Sequence, residues 1–360
     1  MSEQITINGE KIDSLTLPNW RKGRSGIAAE LADFLLLWFS ESPYIPLQTS
    51  GSTGSPTLLH GDKSAMRASA RLSCEIFGIS EQSRVLLSLP LRYIAGKMIV
   101  VRALVSGANL LLKEPGSTPL AELTEDVDFV PLVPMQAATT LRQPDGVAQL
   151  ARARCILLGG GFIDSTLTRE LQQVPSRIYA SYGMTETYSH IALRRVNGPE
   201  RSDWYHPLPG VQIKLSPQGT LCLSAPHLGI QELITNDLAE CDEEGNFRIL
   251  GRSDSVINSG GIKLQAEQIE QQLTAATGLT LLLLPQPDPI LGQCAVLLWE
   301  GKQNERQQLL SAIAELPLYC RPRLILHTPE LPRTATGKLN RAAARALLPR
   351  TQTDSRPTCQ

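Results

Sequence analysis

Apolar and polar positions along the chain switch repeatedly between two periods. Helical spacing over 26–39 predicts a first amphipathic helix, and Pro43 and Pro46 are expected to break the chain after it. Helical patterns return over Lys63 to Phe77 and Ala95 to Ser106. Between and after them stand short apolar runs read as buried strands, at Arg84 to Leu89, Asn109 to Lys113, Asp128 to Val133 and Cys155 to Leu158. Strand and helix alternating over this length predict an α/β fold with a largely parallel sheet. Ligands of such a sheet sit beyond the carboxyl ends of its strands.

The texture changes after Tyr205. Val211 to Leu215, Thr220 to Leu223 and Phe247 to Leu250 read as short strands around polar turns and suggest a small β subdomain. Gly251-Arg252-Ser253-Asp254 reads as a boundary. Beyond it come a helix from about Gln265 to Thr274, strands at 279–284 and 294–299, a helix near 303–315 and a basic end, a pattern that fits a small α+β domain. The expected division is a large domain over 1–251, a small one over 252–349, and a disordered tail over 350–360, where apolar residues are few.

Bulk composition narrows the function classes. A chain of 360 residues with 42% hydrophobic positions has material for a real core, and a net charge of −1 leaves no basic excess for nucleic acid or an anionic membrane. Seven cysteines lie scattered without a C-x-x-C pair, which argues against a zinc site and a disulfide framework and fits a reducing cytoplasm. No signal segment is read at the N-terminus, and the apolar run from Phe34 to Phe39 is too short to span a bilayer.

Candidate chemistry is spread over several segments. Thr49-Ser50-Gly51-Ser52-Thr53-Gly54-Ser55-Pro56 concentrates hydroxyls and glycines as a loop that could wrap a polyphosphate, backbone N–H groups and uncharged donors facing the anion. Alone it reads better as a solvated Ser/Gly linker. Gly159-Gly160-Gly161 follows an apolar strand, offering backbone against which something flat could lie, or a bare turn. Tyr179 to Thr187 joins an aromatic ring to the hydroxyl of Thr185 and the carboxylate of Glu186. Beside a triphosphate such a carboxylate would hold Mg2+ through hard oxygen ligands, while a turn whose Glu caps a helix is the plain alternative. Asp237 could accept hydrogen bonds from the hydroxyls of a ribose, with Arg252 serving the same sugar or a phosphate. Lys338 follows Gly337 in Pro332 to Arg341, but Pro332 and Leu339 occupy positions where a P-loop needs Gly and Ser/Thr, so that motif is rejected.

Taken in order, these segments resemble the adenylate-forming, AMP-binding superfamily of acyl- and aryl-CoA ligases. The matching stretches are Thr49 to Pro56, Tyr182 to Glu186, Gly251 to Gly261 and Pro332 to Lys338, within 45–341. The resemblance implies a two-step reaction in which ATP and a carboxylate give an acyl-adenylate and pyrophosphate, and a thiol then displaces AMP. It implies that Thr49, Ser50, Gly51, Ser52, Thr53 and Gly54 hold phosphates, that Glu186 serves Mg2+, and that Thr185 belongs to the catalytic residues beside it. Gly159, Gly160, Gly161 and Tyr182 would face the adenine and Asp237 the ribose, with Gly183 and Arg252 also at the nucleotide. Lys338 would bridge the reacting oxygens, and Asp254 would be the hinge of a small mobile domain. Two departures are evident. Thr57 stands where the family usually has Lys, so Lys63 is a candidate to reach the phosphates instead. The phosphate loop also begins at residue 49 where the family usually has well over a hundred residues before it, implying a shortened first subdomain.

Within the superfamily the chain most resembles the compact o-succinylbenzoate–CoA ligases of menaquinone biosynthesis, through Ser88 to Lys97, Leu157 to Gly161, Ser181 to Thr187 and Asn258 to Lys263. That implies an aromatic dicarboxylate substrate, met by Tyr93, Ser181 and the cations Arg92 or Lys97, and CoA near Gly260, Gly261 and Lys263. Another aryl- or acyl-CoA ligase, an adenylation module acylating a carrier protein, and a non-catalytic nucleotide-binding relative stay open. A homo-oligomer is compatible with all of them.

Overall fold

The computed structural model describes residues 3–48, 58–334 and 339–349. The hydroxyl-rich loop, with Thr57, and Lys338 lie outside the described residues.

The main sheet has nine strands. In spatial order they are His206–Pro207, His190–Arg195, Arg177–Gly183, Ala153–Leu158, Val127–Leu132, Arg84–Leu87, Asn109–Leu112, Gln4–Ile7 and Glu10–Asp13. The six strands from Arg177–Gly183 to Gln4–Ile7 run parallel, and antiparallel strands close both edges. The helices Gly26–Phe39, Lys63–Phe77 and Ile94–Ser106 cover one face. Their apolar stripes join Ile5, Val85, Leu87, Leu110 and Phe129 in the largest core cluster. Pro134–Leu141, Gly146–Ala151 and Ser165–Glu170 cover the other, where Leu86, Val130, Ile156 and Ile178 point. Alternate residues of one strand thus feed two cores, which is why the central strands read as unbroken apolar runs.

From Arg84–Leu87 the chain moves to one side for Asn109–Leu112 and then to the other for Val127–Leu132. That reversal is a topological switch point, and it leaves a crevice at the carboxyl edge of the sheet.

Boundaries of the covering helices follow local chemistry. Asp62 accepts from the N–H groups of Ser64 and Ala65 at the start of Lys63–Phe77, and Gly78 ends that helix at φ 64°. The break expected at Pro46 is instead a strand. Tyr44–Gln48 pairs antiparallel with Leu58–Asp62 in a two-stranded ribbon, and Pro46 faces His60. A narrow ribbon has free outer edges, where a residue without an N–H sacrifices no ladder bond.

Gln212–Leu215, Thr220–Ala225, Ile230–Cys241 and Phe247–Arg252 form a separate four-stranded antiparallel sheet. Its longest strand, Ile230–Cys241, contains Asp237. After Ser253–Ser255 the chain builds a five-stranded sheet from Val256–Ser259, Ile262–Gln265, Thr280–Asp288, Gly292–Glu300 and Leu324–Thr328. Helices Ala266–Thr277 and Arg306–Ala314 pack on one face, through Ile269, Leu273, Leu309 and Ile313 against Trp299. Among the described residues no cysteine forms a disulfide, and no helix is long and apolar enough to cross a membrane.

Candidate active site

The carboxyl edge of the parallel sheet gathers most of the described motif residues. The strand Ala153–Leu158 runs directly into Gly159, whose N–H donates to the Leu132 carbonyl at 3.0 Å and extends the ladder by one step. A Cβ on Gly159 would stand 2.7 Å from Ser181 Oγ, and one on Gly161 would press on Pro134 at 3.3 Å. Gly159 and Gly161 therefore keep bare backbone close to a neighbouring strand end and to the start of helix Pro134–Leu141. Ser181 Oγ donates to the Leu158 carbonyl at 3.0 Å, so its hydroxyl ties adjacent strand ends together. Phe162, just past the glycines, and Met135 leave large apolar side chains exposed on this edge.

Tyr182 and Gly183 end the strand Arg177–Gly183, and the chain turns over Met184 to Ser189 before returning as His190–Arg195. A Cβ on Gly183 would lie 2.2 Å from the Ser189 carbonyl oxygen, a position only glycine can fill. Thr187 is fully buried inside the turn; its Oγ1 accepts from Met184 N–H at 3.0 Å and donates to the Ser189 carbonyl at 2.7 Å. Tyr188 adopts φ 59°, rare for a bulky residue, and its Oη accepts from the Asp62 N–H at 3.4 Å. This turn is thus fastened to the ribbon whose strands flank residues 49–57. Glu186 projects from it, exposed, and no cation engages its carboxylate among the described residues. A free carboxylate of this kind fits one hard oxygen ligand to Mg2+. Thr185 stands beside it, half-buried.

Asp237 links the two sheets. Tyr182 Oη donates to its Oδ2 at 2.6 Å, and Arg252 reaches its Oδ1 at 3.4 Å. The same guanidinium grips Asp254 with Nε at 2.9 Å and Nη2 at 2.7 Å. Burial, and then the charge of Asp237, push the Tyr182 phenol far above its ordinary range, so it stays a donor. Arg252 is pushed up as well, first by its bond to Asp254. Tyr182, Asp237, Arg252 and Asp254 therefore form one hydrogen-bonded chain.

Lys63 is buried, and its ammonium donates to the Ser40 carbonyl at 2.8 Å, so it does not stand in for the lysine absent at Thr57. Desolvation lowers its pKa. Lys97 spends a donor on the Pro46 carbonyl at 3.0 Å, in the ribbon itself, and burial lowers its pKa too. Arg92 is exposed and lies over the Tyr93 ring at 4.9 Å. Gly260, Gly261 and Lys263 sit on the hairpin of the five-stranded sheet; both glycines have positive φ, and Gly260 N–H donates to the Leu291 carbonyl at 2.9 Å.

One cluster had gone unread. Arg102, in the apolar helix Ile94–Ser106, is 2% exposed and faces no carboxylate among the described residues. Its guanidinium donates to Ser73 Oγ at 2.7 Å and Ser189 Oγ at 2.5 Å, and lies 3.5 Å from His190 Nδ1. Burial brings the Arg102 pKa down to about 10. Burial first, then the Arg102 charge, hold His190 neutral well below the ordinary imidazole range, and its Nε2 finds no partner among the described residues. An uncompensated cation behind the Glu186 turn is costly unless something anionic meets it. Its sequence signal was a lone Arg inside a helix with apolar residues on every side.

A parallel sheet covered by helices on both faces, with glycine-rich and carboxylate-bearing turns at its carboxyl edge, defines an α/β ligand-binding protein of the doubly wound kind. Residues 40–227 match the model of the AMP-binding enzyme family, and the chain belongs to that family. It is 28% identical to a 2-succinylbenzoate–CoA ligase of Lactococcus lactis subsp. lactis over 75% of this chain and 64% of the relative. The enzyme of the same name from Escherichia coli K12 is also 28% identical, with 70% and 57% covered. The chain thus spans less than two thirds of these relatives' length. A solved structure of comparable extent is an acyl-CoA synthetase (AMP-forming)/AMP-acid ligase II-like protein from Dyadobacter fermentans, 33% identical at TM-score 0.62, with 92% of this chain and 97% of that one covered. An o-succinylbenzoate CoA synthetase from Bacillus subtilis, solved with the acyl-adenylate OSB-AMP, is 25% identical at TM-score 0.67, with 82% and 67% covered.

Proposed function

We propose that this chain is an AMP-forming acid–thiol ligase that converts 2-succinylbenzoate, ATP and CoA to 2-succinylbenzoyl-CoA, AMP and diphosphate through an acyl-adenylate, a step of menaquinone biosynthesis. The observation that carries the reading is the convergence of Gly159 to Gly161, Tyr182, Asp237 and Glu186 around one sheet edge in a chain of this family.

In this reading adenine lies along Gly159 to Gly161, and Asp237 accepts from the ribose hydroxyls in place of Tyr182 and Arg252. Thr49 to Gly54 take the outer phosphates. Glu186 would hold Mg2+, which supplies charge neutralisation at the phosphates. Lys338 meets the carboxylate and α-phosphate oxygens as they approach, offsetting the repulsion of two anions. The regions 1–251 and 252–349 then move as two bodies about Asp254, so that the Gly260 to Lys263 hairpin serves the CoA step.

For the carboxylate that does not react, we assign Arg102 in place of Arg92 or Lys97. Among the described residues it is a buried guanidinium without a counterion, whereas Arg92 is exposed and Lys97 is engaged by the ribbon. A cytoplasmic setting, where both nucleotide and CoA are found, completes the reading.

The test is pyrophosphate release with a panel of carboxylic acids, with and without CoA. Release with 2-succinylbenzoate and capture of the acyl group by CoA is expected. Release with benzoate analogues but not with 2-succinylbenzoate overturns the substrate, and no release with any acid overturns the activity.

A further inference from the structure

Glu186 lies inside two overlapping tight turns. The Thr187 N–H donates to the Met184 carbonyl at 3.3 Å, and the Tyr188 N–H to the Thr185 carbonyl at 3.1 Å. A third bond, from the Ser189 N–H to the Thr187 carbonyl at 2.6 Å, spans Tyr188 alone. A three-residue turn with positive φ at its centre is the rare and strained hand of its kind. Tyr188 holds φ at 59°, and among the described non-glycine residues Asn8 alone shares that sign. Asn tolerates the left-handed region, whereas a bulky aromatic residue is an outlier there.

Glycine would take this backbone without strain, so the Tyr188 ring must offset what its Cβ costs. The ring packs against the largest core cluster, on the face covered by Lys63–Phe77. It packs also against the cluster of Ile191, Leu223, Ala225 and Leu228, where the main sheet meets the four-stranded one. Its Oη accepts from the Asp62 N–H at 3.4 Å, a long bond beside that double packing. Apolar area shared by two cores can hold a strained turn in place. Among the described residues no side-chain bond fixes the Glu186 carboxylate, which is exposed, so its placement follows from the backbone of this turn.

We propose that Tyr188 is a positioning residue for Glu186, its ring holding the strained turn from which the carboxylate meets Mg2+. The proposal rests on the metal role that the ligase reading gives Glu186. Mg2+ takes few protein oxygens and demands near-ideal geometry, and losing the support of a ligand weakens metal binding about 10- to 100-fold. Tyr188 acts through Glu186, so its effect should vanish once that carboxylate is gone.

The test is the affinity of the full chain for ATP, measured by calorimetry without acid, once with Mg2+ and once with EDTA. The ratio of the two affinities isolates what the metal adds. That ratio is expected to fall about 10-fold in Tyr188→Gly, which keeps the backbone and removes the ring, and to stay within about threefold in Tyr188→Phe. Tyr188→Leu, with a smaller apolar body, should lie between them and serves if Tyr188→Gly does not fold. In a Glu186→Gln background the same changes should move the ratio by less than about twofold. An unchanged ratio in Tyr188→Gly and Tyr188→Leu, or an equal fall with Glu186 present and absent, overturns the positioning role. In parallel, hydrogen exchange over residues 184–190, read by mass spectrometry without metal or nucleotide, is expected to speed up about 10-fold in Tyr188→Gly. If Mg2+ adds nothing to ATP affinity in the wild type, the metal role of Glu186 fails, and exchange decides the turn: an unchanged rate overturns the support by Tyr188.

Discussion

Tyr182 and Asp237 stand 55 residues apart in the chain and on different sheets, yet their side chains meet at 2.6 Å. In the proposed function, this bond occupies an oxygen that the ribose of ATP requires. Asp237→Asn should raise the KM for ATP roughly 10- to 100-fold, because a neutral amide accepts far more weakly than a carboxylate. Tyr182→Phe removes the occupant that the sugar must displace, and the KM should fall by about two- to tenfold. Steady-state kinetics at saturating acid and CoA check both, and an unchanged KM in Asp237→Asn would contradict the ribose role.

Gly183→Ala places a Cβ against the Ser189 carbonyl oxygen inside a turn already fixed by Thr187. The backbone must open, and the expected loss is about 2–4 kcal/mol in urea denaturation. A loss under about 0.5 kcal/mol would show that the turn tolerates another path.

Arg102→Met should abolish most pyrophosphate release with 2-succinylbenzoate, by about 100-fold, while sparing a benzoate analogue that lacks the second carboxylate. Equal losses with both acids would reassign Arg102 to the packing of the Glu186 turn.

Lys63→Met leaves the KM for ATP within about twofold of wild type, because the ammonium faces the Ser40 carbonyl. A tenfold rise would restore it as a phosphate ligand.

Burial pushes the Glu270 carboxyl up to about 7, against the pull of Arg341 and the Leu283 N–H, with Glu267 adding repulsion. The folded pKa is raised above the unfolded value of 4.5, so between these values the folded chain binds more protons. Its contribution to stability is full below the unfolded pKa and lost as pH rises through about 7. The Tm of wild type relative to Glu270→Gln should therefore decline between about pH 5 and pH 8. A constant difference across that range would refute the buried carboxyl's titration there.

Helices Gly26–Phe39 and Lys63–Phe77 were legible from end to end, because the apolar period runs through both and Asp62 and Gly78 cap the second. So was the parallel sheet, since strands buried on both faces leave continuous apolar runs. The ribbon of Tyr44–Gln48 and Leu58–Asp62 was hidden by Pro46, whose missing N–H matters only in strands paired on both sides. Strand Ile230–Cys241 was hidden by its many exposed polar positions. The motif residues could be picked out by type, but their partners could not. Arg102 meets Ser189 across 87 residues, and no local pattern announces such a contact.

The ribbon also bears on how this chain could change. Residues 49–57 join its two strands, which form their own sheet apart from the nine-stranded one. Lengthening or rewriting that segment would disturb a hairpin's connection and none of the ladder bonds of the main core. In the proposed function, the ribbon therefore acts as a mount whose connecting segment could be rewritten without refolding the main core.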